Sequence, residues 1–538
     1  MTLQVDGNTM TIQDVVAIAR STDRAELSAE ARARLKKTRD YIEANWMTDE
    51  TPLIYAFNTG SGAFRDQRVL VRDMEALQRQ TIKSHATGVG EPFAEDVIRA
   101  MMLLRANSIA TDRMGYRAEI ADHMLSFLNE GLHPVVPQKG SVGASGDLAP
   151  LAQMAGCLLG FPDTEMFYKG KRMPSSEAIA ASGLNPNITL AAKDSSAYLN
   201  GSATTLALAT LSVHDARRLL KMADIALSLS LEAMRGETAA FDARIHAARP
   251  HPGQQRVARN VLRIVEGTQR CSAAARDVVF PGETRSSGTP ATPRVQDVYS
   301  LRCAPQVHGP AADAVAYAEG IIATEINAPQ DNPLVFEDGN GGYESRSCGH
   351  FHAQYLAQAM DVLAIAMADL GSISERRIAR LIEPTMSYGL PRNLVSGQPG
   401  LNTGFSVVQC SMSALVMENR HLATPGSVDS VPGKGNVEDH VSNSTWCARK
   451  GKTVVENVQQ IIASEMLVAA QALTMVDPLA SDFPIGKGSR AALEAIREAI
   501  PAALDGDRWF TSDMHRALGL VRSGAVLDRV EAAVGPLD

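Results

Sequence analysis

The chain has 538 residues, 45% of them apolar and 21% charged, which fits a globular protein with a substantial core and excludes a disordered or collagen-like chain. Lysine and arginine number 52 against 60 acidic residues, a net charge of −8. That balance offers no general attraction to phosphate backbones or anionic lipid, so nucleic-acid and membrane-surface partners are not expected.

The stretch Leu3 to Asp6, followed by Gly7-Asn8, predicts a small N-terminal hairpin, and Thr11-Ile12-Gln13-Asp14 predicts a capped helix start. Ala181-Ser182-Gly183 follows an alanine-rich run and precedes Asn185-Pro186, which predicts a helix end. From Ser202 to Arg235 there is neither proline nor glycine, and leucines recur near every third or fourth position, which predicts one long helix stopped by Gly236. A second long run covers Ala353 to Leu370 and resumes from Ser372 to Leu381. A third covers Lys452 to Val476 and ends at Asp477-Pro478, and a shorter helical tail begins near Ser489. The richest apolar stretch, Ala463 to Val476, is broken by Glu465 and Gln471 and falls short of a membrane span.

These segments predict an all-α, mainly helical fold. Residues 1–200 form a smaller N-terminal domain carrying the site loops, 201–480 an elongated central bundle of long antiparallel helices, and 481–538 a C-terminal helical tail. The six cysteines contain no CxxC pair, which points to reduced thiols in a cytoplasmic setting. The start lacks the basic-then-apolar plan of a signal peptide.

Three familiar motifs fail. Before Gly451-Lys452-Thr453, the position where a P-loop needs its first glycine holds Trp446, and after Gly143-Ala144-Ser145-Gly146 the place of the nucleophile-elbow glycine holds Asp147. Cys348, His350 and His352 alternate as ligands could, yet no further ligand follows at a known spacing, so no metal is expected.

The segment Lys139-Gly140-Ser141-Val142-Gly143-Ala144-Ser145-Gly146-Asp147-Leu148-Ala149-Pro150 is distinctive. Its glycines permit a strained turn, and Asp147 is suited to cap a helix with Pro150 in its first turn. It resembles the signature of the aromatic amino acid ammonia-lyase and aminomutase family. Seven further motifs match that family in order: Ile54 to Gly60, Lys83 to Gly90, Leu199-Asn200-Gly201, Val295 to Arg302, Asp331 to Leu334, Gly349 to His352, and Val437 to Ser442.

The resemblance implies a fumarase/aspartase-like helical fold and a homotetramer whose active sites draw residues from three chains. It also implies that Ala144, Ser145 and Gly146 cyclise with loss of two waters to 4-methylidene-imidazol-5-one (MIO), an electrophile that needs no imported cofactor. A side chain on residue 146 would hinder attack of its amide nitrogen on the Ala144 carbonyl. A helix N-terminus beside the group would favour developing negative charge.

For a small aromatic amino acid as substrate, the resemblance implies Tyr55 as base and Tyr299 as the partner hydroxyl. Tyr55 would need nearby positive potential to act as phenolate, since a free tyrosine titrates near ~10. Arg302 would clamp the carboxylate. Asn200 would bond the MIO carbonyl, Gln296 and Asn332 would orient carboxylate and amine, and Phe351 would line the site.

His85 sits where the family reads the ring, and a histidine there suits a polar ring. Glu438 resembles the histidine ammonia-lyase form, in which a carboxylate meets the imidazole. The leading expectation is therefore L-histidine to urocanate and ammonia. The alternatives are a tyrosine ammonia-lyase or tyrosine 2,3-aminomutase, which Met386 to Pro391 and Leu394 to Gly397 resemble, and more remotely a non-catalytic helical scaffold. Ala56, Phe57, Ser61 and Ser406 depart from the histidine pattern, and Phe57 enlarges a side chain near the mobile tyrosine loop.

Overall fold

The computed structural model describes residues 2–280, 295–433 and 437–538. The chain is mainly helical, with short strands in two- and three-stranded sheets. It divides into two compact units, each assembled from segments distant in sequence. The first comprises Met1–His214, Ala318–Asp361 and Pro425–Lys450, the second Asp215–Tyr317, Val362–Thr424 and Gly451–Asp538.

At the N-terminus, Thr2–Val5 is a strand, but its partner is Arg24–Leu27 in parallel register, reached through the helix Ile12–Arg20. The expected hairpin is thus a strand–helix–strand unit. Asp6 Oδ1 accepts the N–H groups of Asn8 and Thr9 at 2.8 and 2.9 Å, and the chain enters the helix immediately afterwards. Thr11 and Asp14 cap that helix reciprocally, at 3.2 and 2.9 Å, as the sequence predicts. Gly7 has φ +82°, and a Cβ there would lie 2.4 Å from the Ala110 carbonyl carbon, so the strand passes against a helix end rather than turning back.

Four long helices dominate: Ala203–Ala233, Ala304–Ile326, Gln354–Leu381 and Ser444–Val476. The first matches its predicted span closely. Gln354–Leu381 runs unbroken through Gly371, where a Cβ would sit 2.9 Å from Val458 Cγ2; the glycine serves close helix approach, not a break. Ala304–Ile326 is hidden in the sequence by Gly309-Pro310. A Cβ on Gly309 would lie 2.7 Å from the Gln254 backbone nitrogen, so this glycine also marks close packing within the second unit. Ser182 ends a helix and Gly183 adopts φ +77°, as predicted.

Two helices, Gln354–Leu381 and Ser444–Leu479, are long and apolar enough to cross a membrane, contrary to the sequence-based expectation for the latter stretch. In the latter, 78% of the apolar window is buried inside the protein. The polar residues that interrupt it have partners within the second unit. Glu465, fully buried, accepts Arg377 Nε and Nη2 at 2.5 and 2.8 Å and Ser374 Oγ at 2.6 Å. Arg377 Nη1 also donates to the Ser300 carbonyl at 3.2 Å. A paired charge of this kind identifies a core helix.

The first unit buries two neutral histidines. His123 Nδ1 lies 2.7 Å from the Tyr198 hydroxyl, and burial lowers its pKa from 6.5 to about 4. Burial, with Arg99 adding repulsion, likewise lowers His133 to about 4. As pH falls below 6.5 the unfolded chain takes up these protons first, so the stabilisation is complete above 6.5 and drains away towards 4. Each residue contributes on the order of 2 to 3 kcal/mol to that loss. The urea midpoint is expected to fall over this window, and less steeply in His123→Asn. Equal slopes for the two proteins would show that His123 does not titrate there.

Candidate active site

The Gly140 to Gly146 island is held at both ends within the first unit. Asn443 N–H donates to the Val142 carbonyl at 2.9 Å and Ser442 Oγ to the Gly143 carbonyl at 3.1 Å. Asp147 N–H donates to the Gly201 carbonyl at 2.7 Å, and Gly201 N–H to the Ser145 carbonyl at 3.5 Å. This short parallel bridge uses groups on either side of Gly146 and leaves the Gly146 N–H out of the backbone bonding. Gly146 has φ +76°, and a Cβ there would lie 2.1 Å from the Gly201 carbonyl oxygen, so only glycine fits.

Asp147 precedes the helix Leu148–Leu158, but its side chain makes no cap bond. Instead the fully buried carboxyl accepts Thr205 N–H at 2.7 Å, Thr205 Oγ1 at 3.0 Å and Thr445 Oγ1 at 2.5 Å. Burial pushes its pKa up while these donors oppose the rise. The expected capping aspartate is thus a buried tie between three segments. A glycine that tolerates no Cβ, an uncommitted amide nitrogen and loop ends pinned in place fit a tripeptide that cyclises on itself.

Two cavities, of about 950 and 620 Å³, meet at this island and share Tyr55, Gly62, Ser145, Asn200, Asn332 and Glu438. The larger extends to Phe64, Leu77, Lys83 and His85, the smaller to Phe351, His352 and His440. Seven of the residues singled out in the sequence, Tyr55, His85, Ser145, Asn200, Asn332, Phe351 and Glu438, thus border connected space, and Ala144 lines the smaller cavity.

Hydrogen bonds fix several of these side chains. Ser145 Oγ donates to Glu438 Oε1 at 2.9 Å. His85 closes the helix Met74–His85, and its Nδ1 lies 2.7 Å from the Thr81 carbonyl oxygen. A carbonyl can only accept, so Nδ1 carries a proton, and in the one-proton tautomer this leaves Nε2 as an acceptor. Asn200 Nδ2 donates to Asp331 Oδ1 at 2.6 Å, which fixes the amide's orientation and leaves its second N–H free of that bond. Asn332 Oδ1 accepts Cys348 N–H at 2.7 Å and Ser347 Oγ at 3.2 Å, leaving its NH₂ as the end able to donate.

Tyr55 is half-buried. Burial raises its phenol pKa, and the carboxylates Asp331 and Glu438 add to the rise while a backbone bond from Gly62 and the charge of Arg65 oppose it. The positive potential that a phenolate needs therefore does not prevail within this unit.

Gln296, Tyr299 and Arg302 lie in the second unit, around a cavity of about 520 Å³ with Arg376, Arg380 and Met386. They are not among the residues lining the Ser145 cavities. Tyr299 is 70% exposed. It opens the single helical turn Tyr299–Arg302, and the Arg302 guanidinium stacks 4.6 Å from its ring centre while Nε donates to the Asp297 carbonyl at 2.7 Å.

Phe57, the larger side chain noted beside the tyrosine loop, turns into the core. It is fully buried with Ile42, Trp46 and Val335, edge-on to Trp46 at 5.1 Å. Ala56 adopts φ +66°, a left-handed conformation that explains why glycine would serve there more easily.

Sequence reasoning missed Lys193. Its Nζ, fully buried, lies 2.8 Å from Asp331 Oδ2 and donates to the carbonyls of Met114 and Pro333 at 2.9 and 2.8 Å. A lone lysine after Ala191-Ala192 carries no local signal; only Asp331, in the Asp-Asn-Pro motif, hints at it. Cys348 and His352 find protein partners: Cys348 Sγ donates to the Asp331 carbonyl at 3.3 Å, and His352 Nε2 lies 3.2 Å from His440 Nδ1. Among the described residues no group of three or more histidine, cysteine or carboxylate side chains could hold a metal.

Comparison with known proteins agrees with this geometry. Residues 10–498 match the model of the aromatic amino acid lyase family. A histidine ammonia-lyase of Gloeobacter violaceus is 44% identical over 536 residues, covering 100% of this chain and 99% of the relative. The solved histidine ammonia-lyase of Trypanosoma cruzi is 35% identical with a TM-score of 0.87, covering 99% of this chain and 96% of its own. A tyrosine aminomutase from Streptomyces globisporus is 32% identical with a TM-score of 0.90, covering 100% of both chains. Matched across almost its whole length, this chain belongs to the aromatic amino acid lyase family.

Proposed function

We propose that the chain is a carbon–nitrogen lyase that converts L-histidine to urocanate and ammonia, using MIO formed from Ala144, Ser145 and Gly146. The observation that carries the substrate choice is Glu438, whose carboxylate faces the cavity beside Ser145 at 2.9 Å. With His85 Nε2 as a second acceptor on the same cavity, the site offers acceptors to a ring that carries N–H donors. An imidazolium supplies two such donors, a neutral imidazole or a phenol only one and a benzene ring none. The full-length likeness to histidine ammonia-lyases supports the same choice.

Once formed, MIO supplies an electrophile for the substrate's amine that no ordinary side chain offers. The chain's own groups then bind and orient. Asn332 NH₂ would donate to the substrate carboxylate, and the second N–H of Asn200 would hold the MIO carbonyl. Tyr55, which borders both cavities, would take the β-proton, and could do so only when positive potential outweighs the burial and carboxylates that raise its phenol pKa.

A homotetramer with shared active sites would bring Gln296, Tyr299 and the Arg302 guanidinium of other copies to each Ser145 cavity. In the second unit Val362, Ile365, Val407 and Met417 are exposed apolar side chains on the helices Gln354–Leu381 and Ser406–Leu422, which supports burial against further copies.

Incubation with histidine, tyrosine and phenylalanine separately tests the reading. Urocanate absorbance should grow with histidine and exceed turnover of the other two by at least about 100-fold, because a benzene ring leaves both acceptors unpaired and a phenol, with its single donor, leaves one of them so. β-Tyrosine or coumarate from tyrosine, without urocanate from histidine, would overturn the substrate assignment. An intact mass two waters below that of the sequence supports the cofactor; an unmodified mass would sink it.

A further inference from the structure

We propose that Glu438 is also the acid–base residue that removes the Ser145 hydroxyl during formation of MIO, a maturation role that precedes any contact with substrate. The inference rests on the family's cofactor chemistry, not on the choice of histidine.

Four observations converge. Ser145 Oγ, the atom that must leave, lies 2.9 Å from Glu438 Oε1. Ser145 and Glu438 are the two residues that border all three cavities around the island, including one of about 230 Å³ beside Ser141 to Gly146, so the departing water has room to leave. The other nearby carboxyl, Asp147, is fully buried with its oxygens committed to Thr205, Thr445 and Ser141, and is occupied in holding the loop. Finally, the backbone on both sides of the tripeptide is pinned, Val142 and Gly143 to Asn443 and Ser442 and Ser145 and Asp147 to Gly201, while the Gly146 N–H is left over, so ring closure is set up by the backbone. Loss of the serine oxygen is the step that lacks a backbone partner, and hydroxide leaves poorly without a proton donor.

The step balances without an oxidant. Gly146 N bonds to the Ala144 carbonyl carbon, and the carbonyl oxygen departs as the first water, taking the protons of the Gly146 and Ser145 amides. The Glu438 carboxylate, which accepts the Ser145 hydroxyl's hydrogen bond, then takes the proton from Ser145 Cα, whose electron pair becomes the Cα=Cβ bond. It passes that proton to Ser145 Oγ as the Cβ–Oγ bond breaks, and the hydroxyl with the added proton leaves as the second water. Glu438 ends as it began.

The test follows intact mass against time for the full chain made by cell-free translation, for wild type, Glu438→Gln, Glu438→Ala and Glu438→Asp. Wild type should become two waters lighter. Glu438→Gln, which keeps the shape and can fold, should mature at least tenfold more slowly and accumulate chains that have lost no water or one. Glu438→Asp should recover part of the rate. A glutamine variant that reaches the two-water deficit at the wild-type rate, with the same unfolding midpoint, would overturn the proposal. Slow maturation of the variants supports it whatever substrate the enzyme takes, so failure to form urocanate from histidine is read separately. A wild-type chain that never loses mass would overturn this role and the cofactor together.

Discussion

Ser145→Ala is expected to reduce turnover by at least about 10³-fold, roughly 4 kcal/mol of barrier, while the protein remains folded. The proposed chemistry needs the serine oxygen as a leaving group, because alanine has nothing to lose in forming the exocyclic methylidene. Among the side chains facing the two cavities, Tyr55, His85, Asn200, Asn332, Phe351 and Glu438 can orient a substrate and hold or move protons, but none is an electrophile. The structural cost is small. Ser145 is half-buried, its hydroxyl bonds to Glu438, and Gly146 and Asp147 keep their places on Gly201 and Thr205 without it. Stability should therefore change by no more than about 1 kcal/mol. The check is paired: urocanate formation and the urea midpoint on the same preparation, with intact mass recording a chain that keeps its waters. Wild-type turnover in this variant would refute the role of the tripeptide.

The sequence made the long helices and the site loops legible for different reasons. Ser202 to Arg235 reads correctly because an uninterrupted leucine pattern has one physical solution, and the structure forms Ala203–Ala233 there. Ala304–Ile326 escapes the same reading because Gly309-Pro310 is a breaker signal locally, whereas in three dimensions Gly309 gives Gln254 room to approach. Leu3 to Asp6 reads correctly as a strand, yet its partner lies beyond a helix, and no local pattern encodes that pairing. The loops that gather Tyr55, Ser145, Asn200 and Glu438 are legible through motifs, since the proposed cyclisation and amide binding would demand specific residue types. Charge setting is not legible. The carboxylates that raise the Tyr55 pKa come from positions 331 and 438, far away in sequence. Nor is side-chain direction legible: Phe57, beside a site motif, faces the core.

Lys193→Met should be the most damaging single change to stability, at about 3 to 5 kcal/mol. The lysine and Asp331 are both fully buried, 2.8 Å apart, and the ammonium lies 4.8 and 5.2 Å from the ring centres of Phe57 and Tyr116. Burial lowers the lysine pKa, and Asp331 is the chief force opposing that fall. Methionine replaces the stem but leaves Asp331 without its counter-ion, and the carboxylate must then either stay charged in an apolar setting or take up a proton. The second outcome reaches the site. Asn200 Nδ2 donates to Asp331 Oδ1 at 2.6 Å only while that oxygen accepts, and a protonated Asp331 could donate to the amide oxygen instead. The amide would then turn over and present its carbonyl, rather than its second N–H, to the tripeptide. A fall in kcat of about 10- to 100-fold with a smaller change in KM is therefore expected for the folded fraction, the loss of one charge-orienting donor. Asp331→Asn should be milder, because Lys193 keeps the Met114 and Pro333 carbonyls as acceptors. The double variant Lys193→Met, Asp331→Asn should cost less than the sum of the two single changes, since neither orphaned charge remains. Urea unfolding of all four proteins measures the coupling. Additive losses would show that the pair does not act as a unit, and unchanged kcat in folded Lys193→Met would show that it does not orient Asn200.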